Sequence, residues 1–197
     1  MLWTLPDKKS YFYNTIDTAV EASRGFNGHD VYLGVGVAKG AVGGGKRGKS
    51  DNILAMPALI ADIDVEAEGV VSKKPRFKDR AAALEFTKSI PLQPTIVVWS
   101  GGGLHLYFCF RELFEIGSPN DSVEILKLSK GWNGFLQKEA LKLGVSIDSV
   151  WDITRVLRVP GTMNHKTETP RPVEVIEINP DARYNPDDFE DYLCYDK

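Results

Sequence analysis

Four short stretches of this chain carry side chains that could do chemistry. The first is LIADIDVE, residues 59–66. On a strand, alternate residues share a face, so Ile60, Asp62, Asp64 and Glu66 point one way and Leu59, Ala61, Ile63 and Val65 the other. Two carboxylates beside each other on a strand with a wholly apolar reverse face repel unless a cation is present. A divalent ion with oxygen ligands, Mg²⁺ or Mn²⁺, removes that cost. A solvated surface pair is the plainer alternative.

The second stretch is VVWSGGGLHLYF, residues 97–108. Gly101, Gly102 and Gly103 let the backbone turn tightly and let a ligand approach it. Ser100, free glycine N–H groups and His105 would flank that turn, a set suited to a phosphate oxygen. Leu104, Leu106 and Phe108 would face the core, and His105, Tyr107 and Cys109 the other side. An ordinary hairpin with a half-buried histidine is the alternative. The third stretch, RVLRVPGTMNHK at 155–166, holds Arg155, Arg158, Asn164 and Lys166. An arginine fork binds the oxygens of a triphosphate in pairs. The pair shares a face if helical and not if extended, and the pattern leaves both open. Pairing of these arginines with Asp148 and Asp152 is the bland reading.

The fourth, GGGKRGKS at 43–50, fits the phosphate-loop pattern, with Gly43, Gly48, Lys49 and Ser50 in the fixed places. That motif works only where a strand feeds the loop and a helix starts after the lysine. Here KGAVGG separates it from the preceding strand, and only Asp51 to Met56 lie before Pro57, which breaks a helix interior. A glycine-rich cationic surface loop is the better description.

The elements that must position these groups alternate between helix and strand. Lys9 to Ser23 reads as a first helix ending near Gly25, and 31–37 as a strand with Val31, Leu33, Val35 and Val37 on one face. Strand 59–65 comes next. Residues 69–77 read as a loop, and Asp79 caps a helix over 79–89. TIVVWS, the glycines and LHLYFCF make a hairpin. Asp121 with Glu124 resembles a capping box for a long helix with Val123, Leu126, Phe135, Leu136 and Leu143 inward and Gly144 at its end. PVEVIEI would be a closing strand with Val173, Val175 and Ile178 in the core. NPDDFEDYL would be a short terminal helix capped near Asn185. Helices interleaved with hairpins indicate an α+β fold in one domain.

Composition narrows the classes. The 197 residues are 43% hydrophobic with a net charge of −3, which argues against a broadly cationic nucleic-acid coat. Basic residues concentrate at 31–50 and 154–166, where no acid occurs, and this suggests a local anion site. No membrane-length apolar run and no leader pattern are visible. Cys109 and Cys194 cannot build a disulfide framework or a four-ligand zinc site, so reduced thiols in a cytoplasmic protein are expected.

Taken in order, LIADIDVE, SGGGLHLYF and SIDSVWDITRVLRVPGTMNHK resemble the archaeo-eukaryotic primase (AEP) superfamily, specifically the primase-polymerase (prim-pol) catalytic domains of plasmids, phages and CRISPR-associated or helicase-fused replication proteins. The correspondence runs from about Val31 to Ile178 and follows the family's hhhDhD strand, its S-x-H element and its hydrophobic-Asp step followed by basic residues. The resemblance implies an RRM-like antiparallel sheet joined to an N-terminal α/β unit, with 1–197 as one catalytic domain of a larger replication protein. It implies that Asp62 and Asp64 bind two metal ions, Mg²⁺ or Mn²⁺, with a third carboxylate from Asp148 in preference to Asp152, which would then pair with Arg155. Ser100, Gly101, His105, Arg158, Asn164 and Lys166 would hold the incoming NTP or dNTP. His105, Arg158 and Lys166 would neutralise the leaving group. Lys46, Arg47 and Lys49 would meet phosphates of a single-stranded DNA template or primer. The expected activity is template-directed nucleotidyl transfer, with a fused or associated helicase, helical primase or CRISPR-associated domain as partner. A non-catalytic RRM-like binding module, a phosphate-loop ATPase and a two-metal nuclease are the competing readings.

Overall fold

The computed structural model describes residues 1–66, 72 and 74–195. Of the loop expected at 69–77, residues 69–71 and 73 lie outside the described residues. In chain order the elements are β1 (Leu2–Leu5), β2 (Lys9–Tyr11), α1 (Ile16–Arg24), β3 (Asp30–Gly34), β4 (Val37–Ala38), β5 (Ile53–Asp64), α2 (Arg80–Ser89), β6 (Ile96–Trp99), β7 (Gly103–Glu115), α3 (Pro119–Lys142), β8 (Val156–Arg158), β9 (Met163–Asn164), β10 (Arg171–Pro172) and β11 (Glu174–Ile178). A 3₁₀ segment at Pro186–Tyr192 follows.

The larger sheet has the order β11-β6-β7-β5-β4, and a second sheet has the order β2-β1-β3-β8, with β9 and β10 forming a short ribbon. The ladders between these strands are antiparallel. The run β5-α2-β6-β7-α3 is the RRM-like part, and Asp148, just beyond α3, bridges antiparallel to Asp62 on the free flank of β5. β1, β2, α1 and β3 supply the N-terminal unit.

β5 is the spine of the fold. Leu59, Ala61, Ile63 and Val65 are buried on one face, as alternation requires, and helix α3 packs beneath. Under the sheet Trp132 of α3 meets Phe108 edge-on at 5.0 Å and Phe189 at 5.1 Å, closing the core with aromatic rings. β5 also runs through Pro57, where its register with β7 shifts between Met56 and Ala58. A proline has no N–H for the ladder, so an irregular point is where a strand tolerates one.

Several sequence expectations need correction. Lys9 to Ser23 is not one helix: Lys9–Tyr11 is an edge strand on β1, and α1 starts at Ile16, where Thr15 accepts a hydrogen bond from Thr18 N–H at 3.2 Å. Helix α3 begins three residues earlier than Asp121 suggests. Ser118 is the cap, and Asp121 is its partner, accepting from Ser118 N–H at 2.7 Å. Val123 and Leu143 are exposed, and the core face of α3 is instead Ile125, Leu128, Trp132, Leu136 and Ala140. Val37 is exposed because β3 ends at Gly34. In β11 a register shift between Val175 and Glu177 leaves Val175 and Ile178 outside, while Ile176 packs on the core. The terminal helix is a 3₁₀ segment, with Asn185 N–H donating to Asp188 at 2.7 Å.

Candidate active site

The carboxylates converge because of strand register. Asp62 and Asp64 lie two apart on β5 and so share its face. His105 of β7 is the direct partner of Asp62 on one side, and Asp148 faces it on the other. Asp64 stands opposite Gly103, where no side chain competes for space. A Cβ at residue 103 would lie 2.1 Å from the Ile63 carbonyl oxygen, so only glycine fits there. Gly101 has φ +81°, a conformation open to glycine, and Gly102 accepts from Val65 N–H at 3.1 Å. The glycine turn is thus moulded onto the end of the carboxylate strand.

Asp148 is held by two polar side chains of α3. Asn133 is buried, donates to the Ile60 carbonyl at 3.1 Å and accepts from Val150 N–H at 3.1 Å. Gln137 donates to the Ile147 carbonyl at 3.1 Å. The loop that carries Asp148 is therefore pinned on both sides of that residue and tied to β5.

One cavity of about 230 Å³ collects Asp62, Asp64, Asp148, Ser100, Gly101, His105, Arg158, Asn164 and Lys166, all of them singled out by sequence. Arg155, and also Arg76 and Arg171, which the sequence reading overlooked, line it too. Five basic side chains therefore face three carboxylates. Lys46, Arg47 and Lys49 are not in this cavity. They line a separate hollow of about 680 Å³. There, Ser50–Asn52 is a single 3₁₀ turn leading directly into β5, so no helix follows the phosphate-loop pattern.

The electrostatics of the cavity are uneven. Burial pushes the Asp62 carboxyl above its usual range, and the Asp148 charge adds to this against the pull of Arg155, Arg158 and Lys166. Arg155 Nη2 and His105 Nε2 each stand 3.8 Å from its oxygens, beyond hydrogen-bond distance. Asp64 is raised by burial and by the Asp62 charge, although Arg76 pairs with it at 2.8 Å. Asp148 takes a hydrogen bond from Lys74 at 3.1 Å, well exposed to solvent.

Burial, reinforced by Arg158 and Arg155, lowers the His105 pKa to about 3, so its ring is neutral at physiological pH. Its Nδ1 is buried without a partner among the described residues. Asp152 does not pair with Arg155. It is exposed, accepts from Thr154 N–H at 2.8 Å and binds the Thr154 hydroxyl, while Arg155 leans towards Asp62. Arg155 precedes β8, so the R-x-x-R pair is extended.

The basic residues are also organised from behind. Asp30 pairs with Arg158 Nε at 3.3 Å and accepts from His165 N–H at 2.9 Å, linking β3, β8 and the 163–166 segment. Asn164 donates to the Ser100 carbonyl at 2.8 Å and accepts from Lys166 N–H at 3.0 Å. Ser100 donates its own hydroxyl to the Gly103 carbonyl at 3.1 Å, so it braces the turn. Asp30 went unnoticed in the sequence because it carries no motif. Its position at the head of a strand beside a basic segment was the available signal.

The donor set fits a hard divalent cation: three carboxylates on one face, one of them without a hydrogen bond among the described residues and two held above their usual range by burial and mutual repulsion. As they stand these side chains are not drawn around a single point. Among the described residues no three His, Cys, Asp or Glu side chains are gathered closely enough to hold an ion, because Arg76 and Lys74 hold Asp64 and Asp148.

No protein-family model matches the sequence, and no curated protein matches it. Among solved structures the chain is similar to the AEP domain of the primase-polymerase of cyanophage S-2L, with a TM-score of 0.57 and 16% identity over 91% of this chain and 77% of that one. A likeness to the primase RepB′ has a TM-score of 0.45 and 15% identity, over 83% of this chain and 43% of that one. The first of these likenesses gives the domain an α+β fold of the primase type. More narrowly, its fold is that of an AEP primase-polymerase catalytic domain.

Proposed function

We propose that this domain is a template-dependent DNA primase-polymerase that transfers nucleotides from NTPs or dNTPs to a 3′-hydroxyl on a single-stranded template. The observation that carries this reading is a single cavity in which three carboxylates on one sheet face stand against five basic side chains. A nuclease needs the carboxylates but has less use for so large an excess of cations. A binding module has no use for three mutually repelling carboxylates in one cavity.

Asp62, Asp64 and Asp148 would hold Mg²⁺ or Mn²⁺, which when bound lowers the pKa of an attacking hydroxyl and neutralises a departing pyrophosphate. Arg158, Lys166, Arg155 and Arg171 would bind the triphosphate oxygens, with the arginine forks fixing its orientation. Among the described residues the N–H groups of Gly101 and Gly102 have no protein acceptor and would serve the same anion. His105 would contribute a neutral ring at the floor. A cavity of about 230 Å³ suits the polyphosphate tail, leaving base and sugar outside against the template.

The test is extension of a primed single-stranded template with labelled NTPs or dNTPs and Mg²⁺ or Mn²⁺, alongside an unprimed template. Wild type should extend, and the Asp62→Ala, Asp64→Ala double variant should not, while DNA binding largely survives. Extension by that variant at the wild-type rate overturns the assignment of the acids.

A further inference from the structure

Four side chains form a continuous row across the face of the β2-β1-β3-β8 sheet that the core does not use. Trp3, Tyr32 and Arg158 are direct cross-strand partners on β1, β3 and β8. The Trp3 and Tyr32 ring centroids are 5.4 Å apart, and the Arg158 guanidinium lies 5.0 Å from the Tyr32 ring centroid. At the other end, Arg47 from the glycine-rich loop lies 4.8 Å from the Trp3 ring centroid. Strand alternation puts Leu2, Thr4, Val31 and Leu157 on the opposite face, and all four are buried.

The row joins two places already described. It begins in the hollow lined by Lys46, Arg47 and Lys49 and ends at Arg158, which lines the carboxylate cavity. The acids nearby are few and mostly engaged: Asp30 holds Arg158, Asp7 accepts from the Thr4 hydroxyl at 2.6 Å, and Asp51 lines the hollow.

Aromatic faces flanked by guanidinium groups and lysines hold single-stranded nucleic acid, since every base has a π-face and every nucleotide a phosphate. We propose that this row is the floor along which a single DNA strand runs from the basic loop into the carboxylate cavity, with bases against Trp3 and Tyr32 and phosphates against Lys46, Arg47 and Lys49. This inference rests on the primase-polymerase reading for the identity of its ligand. The two strand-to-strand steps of about 4.8 Å from Trp3 to Arg158 match about three nucleotides at a stacked rise of about 3.4 Å. Arg47 covers the Trp3 ring from an exposed loop, and it yields that face to a base while keeping its charge on the adjoining phosphate.

The experiment is fluorescence anisotropy of a labelled oligo-dT of twelve nucleotides, with a duplex of equal length as comparison, and melting curves for each variant. Trp3→Leu should weaken single-strand binding by about five- to 150-fold and leave duplex binding nearly unchanged. Trp3→Phe should restore most of the affinity but lose the quenching of tryptophan emission that the strand causes in wild type. Arg47→Gln, a change on an exposed loop, should weaken binding without altering the melt. Unchanged affinity in Trp3→Leu overturns the proposal, as does a loss that tracks melting and is not rescued by phenylalanine, or equal loss on duplex. The measurements are repeated in the Asp62→Ala, Asp64→Ala background. Trp3-dependent binding by a protein whose wild type cannot extend primers sinks the polymerase reading and leaves this surface standing. Extension by wild type with Trp3-independent binding does the reverse, and no single-strand binding at all removes both.

Discussion

Asn133→Leu should separate the role of α3 in positioning Asp148 from its role in the core. The asparagine is buried and makes three bonds: to the carbonyls of Ile60 and Ser129, and from Val150 N–H, each at 3.1 Å. Leucine fills similar volume but can neither donate to Ile60 nor accept from Val150. Each buried group left unpaired costs about 1–3 kcal/mol, so two make about 2–6 kcal/mol. For a chain of this length each kcal/mol lowers Tm by about 2–4 °C, which gives a fall of about 4–24 °C. Because Val150 follows Asp148 by two residues and Ile60 precedes Asp62 by two, the same change loosens one carboxylate against the other. A misplacement of about 1 Å at a reacting centre costs about 100-fold in rate. Primer extension should therefore lose turnover far more than nucleotide KM rises, since Arg158 and Lys166 are held by Asp30 and Asn164 instead. Phe189→Leu, in the aromatic core, serves as a variant destabilised without contact to Asp148. The reasoning fails if Asn133→Leu melts like wild type, or if its turnover per folded molecule stays within twofold.

Three other outcomes follow from the geometry. Asp30→Ala should destabilise by about 3 kcal/mol, the low end for breaking a mostly buried ion pair, and raise nucleotide KM more than it lowers kcat, read by melting and by nucleotide titration. Lys49→Ala should leave no ATPase to lose, and should weaken single-strand binding while flattening the log–log salt dependence by about 0.7, measured by anisotropy over a range of KCl. Gly103→Ala should abolish soluble folded protein, because its Cβ would meet Ile63 O at 2.1 Å, whereas Gly40→Ala, with open space around it, should express and melt normally.

The carboxylate strand was legible because alternation is a local property. Seven or eight residues suffice to show two acids on one face and an unbroken apolar reverse, and that reverse is what the core buries. The hairpin was legible for the same reason, since its register follows from a glycine turn between two strands. Helix starts were less so. Lys9–Tyr11 carries residues acceptable in either state, and pairing with β1, which no local pattern announces, decides for strand. Asp121 drew attention as a cap when it was the third residue of a box begun by Ser118, because Asp and Ser are both good caps and only the backbone distinguishes them. Arg76, Arg171 and Asp30 stand in no motif. Arg76 and Arg171 reach the cavity, and Asp30 reaches Arg158, only because the fold brings distant segments together.

The partner of Arg155 shows why nearness in sequence misleads. Asp152, three residues away, is the obvious candidate, but it is exposed, and water and Thr154 already satisfy it. An ion pair formed there gains little in a high dielectric. Asp62 is mostly buried, sits beside Asp148 and receives no hydrogen bond among the described residues, so a guanidinium gains more by facing it, even at 3.8 Å. Arg76 obeys the same rule at Asp64, whereas Lys74 and Asp148 form an ordinary solvent-exposed pair. Arg155 and Arg76 thus face the carboxylates whose charge is hardest to solvate. That place is also where a divalent ion would gain most. The charge that makes the acids poor neighbours is thus a measure of how strongly the site would compete for metal, and any ion that enters must displace the Arg155 and Arg76 side chains that face these acids.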